Sequence, residues 1–266
     1  MKKLSIIVLF TALLLTGCNN QAKVTETGIE SPKTEVAAIG QNPYLETSAV
    51  EYFEGVTGYQ AKPKNDRDYP GVVIIHEWWG LNNEIKAQAE MLAEEGFNVL
   101  AVDLYNGKIA KDPTEAAAFK DEVDLQTSIA NMQAAVKFLE DDNSPKIAAL
   151  GWCFGGAKSL ELALSGTELD ASVIYYGNLN TNKDELAKIK WPVLGIFGEE
   201  DAVVPVAQVK EFNNLLNELE ITNEVYIYPG VGHAFANPTN KDFAPEETAD
   251  AWDKTLNFLR ENLNSI

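Results

Sequence analysis

The sequence predicts an α/β fold, in which helices cover both faces of a mainly parallel central sheet. The first indication is a series of short apolar runs rich in β-branched residues, such as Gly71 to His76, which are typical of strands buried on both faces. The second is the alternation of these runs with amphipathic stretches such as Asn82 to Glu95. Because repeated β-α-β order gives parallel strands, we expect functional residues in the loops at the strands' carboxyl ends.

The same patterns predict the order of the elements. Residues 50–60 predict an antiparallel hairpin or an edge strand around Gly55 to Gly58. Gly96 ends the first helix, and Ser144-Pro145 ends a region of one or two helices over 113–142. Strands are expected at 71–76, 97–102, 146–150, 171–176, 193–197 and 224–228, and further helices at 154–165 and 249–263.

One domain is expected, from residue 47 to residue 266. That length is enough to bury a substantial core, and the sequence contains no internal repeat. Residues 19–46 are polar and lack periodicity, so they predict a flexible tether in front of the domain.

The first 18 residues predict a processed export signal. A short basic start precedes an apolar run over residues 4–15, which is too short to cross a bilayer comfortably. Leu15-Thr16-Gly17-Cys18 resembles the lipobox of bacterial lipoproteins, in which the cysteine becomes the lipidated first residue. The sequence therefore predicts export and anchoring to the bacterial cell envelope through lipid on Cys18, with a plain secretory signal as the alternative.

Charge restricts the partners. The chain has 40 acidic and 21 basic residues, a net charge of −19. Nucleic acid is excluded as an expected partner, because phosphate contacts require lysines and arginines on the binding face. Arg67 and Arg260 are the two arginines of the sequence, so a guanidinium clamp on an anionic substrate has few candidates.

A tight turn presents the candidate nucleophile, Cys153. The strand over 146–150 runs into Gly151-Trp152-Cys153-Phe154-Gly155-Gly156, which a helix follows. This is the strand-turn-helix pattern of a nucleophile elbow, with cysteine where serine is usual. Glycines are needed because the chain on either side of the nucleophile packs closely, and a helix N-terminus favours the thiolate. A buried structural cysteine in a glycine-rich turn is the alternative.

Two further loops provide a base and an acid. His233 follows the last strand through Pro229-Gly230-Val231-Gly232 and is the candidate general base, whereas His76 ends an apolar strand and fits a buried structural histidine. Asp201 follows the preceding strand in a G-x-x-D-x-x-x-P loop and is the candidate orienting acid. The chain order nucleophile, acid, base is the one expected of the α/β-hydrolase fold.

The loop after the first parallel strand, His76-Glu77-Trp78-Trp79-Gly80, predicts part of an oxyanion hole. The expected donors are the backbone N–H groups of Trp78 and Phe154. Glu77 is unexpected there, because a carboxylate beside a thiolate should repel it.

With these residues in place, the chain resembles the dienelactone hydrolase family. The resemblance covers roughly residues 52–263 and rests on four motifs: His76-Glu77-Trp78-Trp79-Gly80, Asp103-Leu104-Tyr105, Gly151 to Gly156, and Gly232-His233-Ala234-Phe235. It implies a Cys-His-Asp triad that hydrolyses esters or lactones through an acyl-enzyme. It also implies a gating role for Glu77, since the matching acid bonds the resting thiol and swings away when substrate binds.

The chain departs from the family where characterised members hold a substrate carboxylate with arginines. Asn237 stands where one arginine would follow the His-Ala-Phe motif, and residues 113–142 contain lysines such as Lys120 but no arginine. These differences and the acidic charge argue against dienelactone itself as the substrate. The expected pocket residues are Trp79, Tyr105, Phe235 and Asn237, with Trp78 and Trp152 as further aromatic candidates and a core role equally open for Trp152.

The residues therefore favour a hydrolase of small esters or lactones that needs no cofactor and no metal. Two alternatives remain: a surface-anchored binding protein on an enzyme scaffold, and a peptidase or acyltransferase with the same triad. The expected partners are a small substrate and, through the N-terminal lipid alone, a membrane; the oligomeric state is left open.

Overall fold

The computed structural model describes residues 42–263. Cys18, the export signal and most of the tether lie outside the described residues. The first strand begins at Leu45, two residues before the domain start predicted from the sequence. Among residues 42–263, none of the helices combines the length and the apolar character needed to cross a membrane.

Within these residues, eight strands form one sheet, in the order β1-β2-β4-β3-β5-β6-β7-β8. The first two strands form the predicted antiparallel hairpin, and β2 pairs antiparallel with β4. The remaining neighbours are parallel, which confirms the predicted α/β architecture. The strands are β1 (Leu45–Phe53), β2 (Val56–Pro63), β3 (Gly71–Ile75), β4 (Asn98–Val102), β5 (Ile147–Trp152), β6 (Ala171–Tyr175), β7 (Val193–Gly198) and β8 (Asn223–Tyr228).

Helices join the parallel strands: α1 (Asn83–Glu94), α2 (Pro113–Glu122), α3 (Leu125–Asp141), α4 (Phe154–Leu164), α5 (Lys183–Leu186), α6 (Val206–Glu218) and α7 (Pro245–Leu263). The region 113–142 divides into two helices because Val123 is extended and the Asp124 carboxylate caps a new helix by accepting from the Thr127 amide. The closing helix begins at Pro245, four residues before the predicted start, since proline is favoured in a first helical turn.

The core lies on both sides of the sheet, because successive side chains of a strand point to opposite faces. In β3, Val72 and Ile74 pack in the cluster that contains α1 and α7. Val73 and Ile75 pack in the cluster that contains α3, α4 and α6. All four side chains are fully buried, so the strand is apolar throughout, as its sequence predicts.

A polar cluster, here called the amino-edge network, lies where β4 begins and is buried except for the partly exposed Lys62 and Asp142. The Asp142 carboxylate accepts hydrogen bonds from the side chains of Gln60 (2.8 Å), Asn98 (2.9 Å) and Lys62 (2.9 Å). Asn98 also donates to the Ser144 hydroxyl at 3.2 Å. The network joins the hairpin, β4 and the end of α3.

Candidate active site

Cys153 occupies the turn between β5 and α4, at the carboxyl edge of the sheet. Its backbone is held at φ 53° and ψ −113°, a strained conformation for a residue with a side chain. A Cβ on Gly151 would lie 2.2 Å from the Gly155 carbonyl oxygen, so the two arms of the turn approach as closely as the sequence predicted. The thiol is partly exposed at the N-terminus of α4.

Two loops bring an imidazole and a carboxylate into line with the thiol. His233 Nε2 lies 3.1 Å from Cys153 Sγ, and His233 Nδ1 lies 2.8 Å from Asp201 Oδ2. Asp201 also accepts from the backbone amides of Val203 (2.7 Å) and Val204 (3.0 Å). Its fixed carboxylate therefore orients His233, whose side chain remains 22% exposed toward the cleft.

The hydrogen bonds among Cys153, His233 and Asp201 shift the pKa values of His233 and Asp201. Burial alone would lower the pKa of His233, but its hydrogen bonds to Asp201 and Cys153 outweigh burial and raise that pKa to about 10. Burial alone would raise the pKa of Asp201, but the bonds from His233 and the two amides hold it below its usual range. An imidazolium between a carboxylate and a sulfur is thus the favoured charge state near neutrality.

Glu77 is buried near these groups, but it makes no hydrogen bond to the thiol, which the resemblance implied. Its Oε2 accepts a hydrogen bond from the Asn237 side-chain amide, while the sulfur faces His233. Burial raises the pKa of Glu77 to about 7, although the Asn237 bond and the charge of His233 oppose that rise. The expected resting contact between Glu77 and Cys153 is therefore corrected to a contact between Glu77 and Asn237.

The two expected oxyanion donors lie in adjacent segments. A Cβ on Gly155 would meet the Ile75 carbonyl oxygen at 2.1 Å and the His76 carbonyl oxygen at 2.6 Å, so the start of α4 lies directly against the end of β3. Within residues 42–263, neither the Trp78 amide nor the Phe154 amide has a hydrogen-bond acceptor. A first-turn helical amide such as that of Phe154 has no partner inside its own helix.

A cleft of about 1040 Å³ opens above Cys153 and His233. Trp78, Trp79 and Asn237 line it, in keeping with their expected placement. Trp152 and Tyr175 pack as an aromatic pair in the core, so Trp152 has a core role and does not line the cleft.

Two expected pocket residues lie elsewhere. Phe235 is fully buried against Tyr176 and Tyr228, because the chain after His233 turns inward onto the core. Tyr105 packs between His76 and Phe119 and borders a separate cavity of about 330 Å³ beside α2. Neither lines the main cleft, so both expectations are corrected.

Two residues that sequence reasoning missed border the cleft. Tyr176, with its ring centroid 5.3 Å from that of His233, follows β6 at the carboxyl edge, and its position after a strand was the available signal. Lys158 lies on α4 and pairs with Glu161 at 2.7 Å. Nothing in the sequence distinguishes Lys158 from a surface helical lysine, because only packing buries it.

His76 is fully buried, which agrees with the structural alternative for this residue. Its Nε2 accepts from the Leu104 amide at 3.1 Å, and its Nδ1 lies 2.5 Å from the Glu77 carbonyl oxygen. Burial lowers the pKa of His76, so its neutral form is favoured. Among residues 42–263, no three His, Cys, Asp or Glu side chains are grouped to hold a metal ion.

The fold and the carboxyl-edge site define an α/β hydrolase. The chain belongs to the dienelactone hydrolase family, whose model matches residues 56–263, and it is accordingly an ester or lactone hydrolase. It is 34% identical over 238 residues to protein usf of Aquifex pyrophilus, a match that covers 85% of this chain and all of that protein.

Two further relatives agree. A protein of Aquifex aeolicus, named provisionally as a carboxymethylenebutenolidase, is 31% identical over 238 residues, covering 85% of this chain and all of that protein. The crystal structure of a dienelactone hydrolase-like promiscuous phosphotriesterase from metagenomic libraries superposes with a TM-score of 0.74 at 26% identity, covering 82% of this chain and 99% of the other.

Proposed function

We propose that Cys153, His233 and Asp201 act as a catalytic triad that hydrolyses small esters or lactones through a thioester intermediate. The observation that carries this proposal is the continuous hydrogen-bonded chain from Sγ to Nε2 (3.1 Å) and from Nδ1 to the Asp201 carboxylate (2.8 Å). The strained turn that presents Cys153 to the cleft supports it.

Acylation begins when the Cys153 thiolate attacks the substrate carbonyl carbon. A C–S bond forms, and the carbonyl π electrons move to the oxygen, which the Trp78 and Phe154 amides stabilise. As the tetrahedral intermediate collapses, the C–O bond breaks and His233 Nε2 gives its proton to the leaving alkoxide. With a lactone, the new hydroxyl stays in the same molecule as the acyl group.

Deacylation uses the neutral His233 left by the first step. His233 takes a proton from water, the resulting hydroxide attacks the thioester carbon, and the C–S bond breaks with its electron pair returning to sulfur. The products are an acid and an alcohol, and the thiolate–imidazolium pair is restored. Asp201 stabilises that imidazolium throughout and keeps Nδ1–H pointing away from the sulfur.

The test is mass spectrometry of the intact protein after mixing with a panel of esters and lactones. The proposal expects an acyl adduct on Cys153 during turnover and none in a Cys153→Ala variant that has also lost hydrolysis. A binding protein on this scaffold would give neither adduct nor product. An acyltransferase would give more amide or transferred ester than free acid when an amine or alcohol acceptor is added.

We also propose that the protein is exported and held to the cell envelope by lipid on Cys18, with the residues between Cys18 and β1 as the tether. The lipobox-like Leu15-Thr16-Gly17-Cys18 supports this. Feeding cells an alkyne fatty acid should label the wild-type protein and leave a Cys18→Ser variant unlabelled. Equal labelling of the two, or none of either, would remove lipidation of Cys18 from consideration.

A further inference from the structure

Two segments that line the cleft differ in their chemistry. The first is α4, which supplies residues at helical spacing from Phe154 through Ala157 to Leu164, here called the α4 wall, and the apolar Leu179 and Val203 line the cleft as well. The second is the segment after His233, which supplies polar groups, namely Asn237, Thr239, Asn240 and Lys241. The α4 wall is about 15 Å long at the rise of an α-helix.

The charged side chains of the α4 wall compensate each other. Lys158 Nζ lies 2.7 Å from Glu161 Oε2, and its ammonium also lies 5.4 Å from the centre of the Phe154 ring. The lysine therefore offers little free charge to an anionic ligand. Val203, which also lines the cleft, is 55% exposed and gives a ligand further apolar surface to cover.

The proposed chemistry decides which part of a substrate meets each segment. The leaving oxygen must lie next to His233, which protonates it, and so near the polar segment that follows His233 in the chain. The acyl group is bonded to Cys153 at the start of α4. Resting on the proposed triad, we infer that the substrates are esters with an elongated apolar acyl group, which lies along α4, and a small or polar alcohol.

Two ester series test this substrate class. Among p-nitrophenyl esters, kcat/KM should rise from acetate to octanoate, by up to about fourfold for each buried CH2. Among butyrate esters, lengthening the alkyl alcohol should give no such rise. An Ala157→Phe variant should reduce the octanoate-to-acetate ratio at least tenfold, whereas Ala118→Phe, at an exposed position of α2, should keep it.

The possible results distinguish a failure of the acyl-chain inference from a failure of the proposed triad. A flat acyl-length profile, or equal ratios in the two phenylalanine variants, overturns the inference while the triad stands. Full hydrolysis by Cys153→Ala overturns the triad itself, whatever the profile.

A second, independent observation concerns the peptide unit between Glu77 and Trp78. Its carbonyl oxygen lies 2.5 Å from His76 Nδ1 and accepts from the Gly80 amide at 3.2 Å. Because His76 Nε2 already accepts from the Leu104 amide, the proton of the neutral ring must be on Nδ1. The ring therefore donates to this carbonyl.

In a trans peptide the C=O and N–H groups point in opposite directions. Fixing the Glu77 carbonyl therefore also fixes the Trp78 N–H, which has no acceptor within residues 42–263 and belongs to a residue that lines the cleft. We propose that His76 is a positioning residue that holds this N–H in place for the oxyanion. Tyr105 and Phe154, packed on the His76 ring, keep it from turning.

Two substitutions divide the functions of the His76 ring. In His76→Asn the side-chain NH2 can replace Nδ1–H, and the Leu104 amide loses its partner. In His76→Gln the side-chain oxygen can replace Nε2, and the Glu77 carbonyl loses its donor. Each variant loses one buried hydrogen bond, so similar losses of stability are expected. We expect kcat to fall at least tenfold in His76→Gln, with KM nearly unchanged, and to be largely kept in His76→Asn.

Alkylation by iodoacetamide provides the control readout, because that reaction forms no oxyanion. Cys153 should react at similar rates in the wild type and in both variants. Equal kcat losses in the two variants would overturn the proposal. If neither variant folds, 15N NMR of the wild-type ring decides: a neutral ring protonated on Nδ1 is required, and a proton on Nε2 contradicts the proposal.

Discussion

The amino-edge network and the triad, at opposite edges of the sheet, are built from similar groups with different outcomes. In each, an aspartate accepts several hydrogen bonds that hold its pKa below the usual range, although Asp201 is buried and Asp142 is partly exposed. Around Asp142 the donors are amides and a lysine, which hold the ion in place. Asp201 instead bonds a histidine, whose other nitrogen reaches a thiol in an open cleft.

If the proposed triad is correct, the two sites differ because a carboxylate stabilises a fold or supports a nucleophile according to its hydrogen-bond partner. The amide donors of the amino-edge network have no proton to exchange near neutrality, so they do not pass the influence of Asp142 on to a further group. A histidine passes the influence of the carboxylate on to the group beyond it. The carboxyl edge also contains the strained Cys153 and the buried Glu77, features that the amino-edge network lacks.

The largest effect should come from Cys153→Ala. We expect a loss of at least about 1000-fold in kcat/KM toward activated esters, because no other thiol of residues 42–263 can replace it. The folded state should be nearly as stable as the wild type, since alanine fits the same space. Ester kinetics and urea unfolding measure the two quantities. Wild-type activity in this variant would show that Cys153 is not the nucleophile, and the chemical difference between the two edges would then be lost.

Asp201→Asn should come next, with kcat lowered by about 100-fold to 10,000-fold, because the amide cannot stabilise the imidazolium. It should also alter the dependence of stability on pH. The raised pKa of His233, about 10, contributes stability that is fully present below pH 6.5 and is lost as the pH rises toward 10. The stability difference between wild type and variant should shrink over that window, and a constant difference would contradict the assignment.

At the other edge, Asn98→Ala should change stability rather than activity. It removes bonds to Asp142 and Ser144 and leaves Gln60 without one of its partners, which we expect to cost about 2–3 kcal/mol of unfolding free energy. The value of kcat/KM should stay within about twofold of wild type. Asn214→Ala, at an exposed position of α6, is the matched control and should leave stability almost unchanged.

The last comparison concerns how stability changes with pH, because the pKa of Glu77 is raised and that of Asp142 is lowered. The raised pKa of Glu77 contributes stability below about pH 4.5 that is lost as the pH rises through 7. Glu77→Gln, which keeps an oxygen for Asn237, should therefore gain on the wild type across that window, by at most about 3 kcal/mol.

Asp142→Asn should behave in the opposite way. The lowered pKa of Asp142 contributes stability above the usual aspartate range, and that contribution is lost as the pH falls. The variant should be less stable than wild type at neutral pH and approach it in acid. Unfolding curves at several pH values measure the stability of both variants relative to wild type. If this stability difference changed with pH in the same direction in both variants, the predicted contrast between the two edges would be wrong.

The sequence by itself determined the sheet, the nucleophile turn and the identity of the three aligned residues. Apolar runs have few ways to be buried, and Gly151 and Gly155 mark a close approach that no other residue permits. Loops after parallel strands meet at one edge, so Cys153, Asp201 and His233 could be brought together from their order alone.

Only the tertiary structure decided the contacts between side chains that are far apart in sequence. Glu77 bonds Asn237, 160 residues away, instead of the thiol, and Phe235 turns into the core although the neighbouring His233 faces the cleft. Lys158 is buried because it pairs with Glu161, although lysine is usually an exposed residue. These contacts depend on side-chain rotamers and packing, because the orientation of each side chain is set by all of its neighbours in the fold. A local sequence pattern does not contain that information.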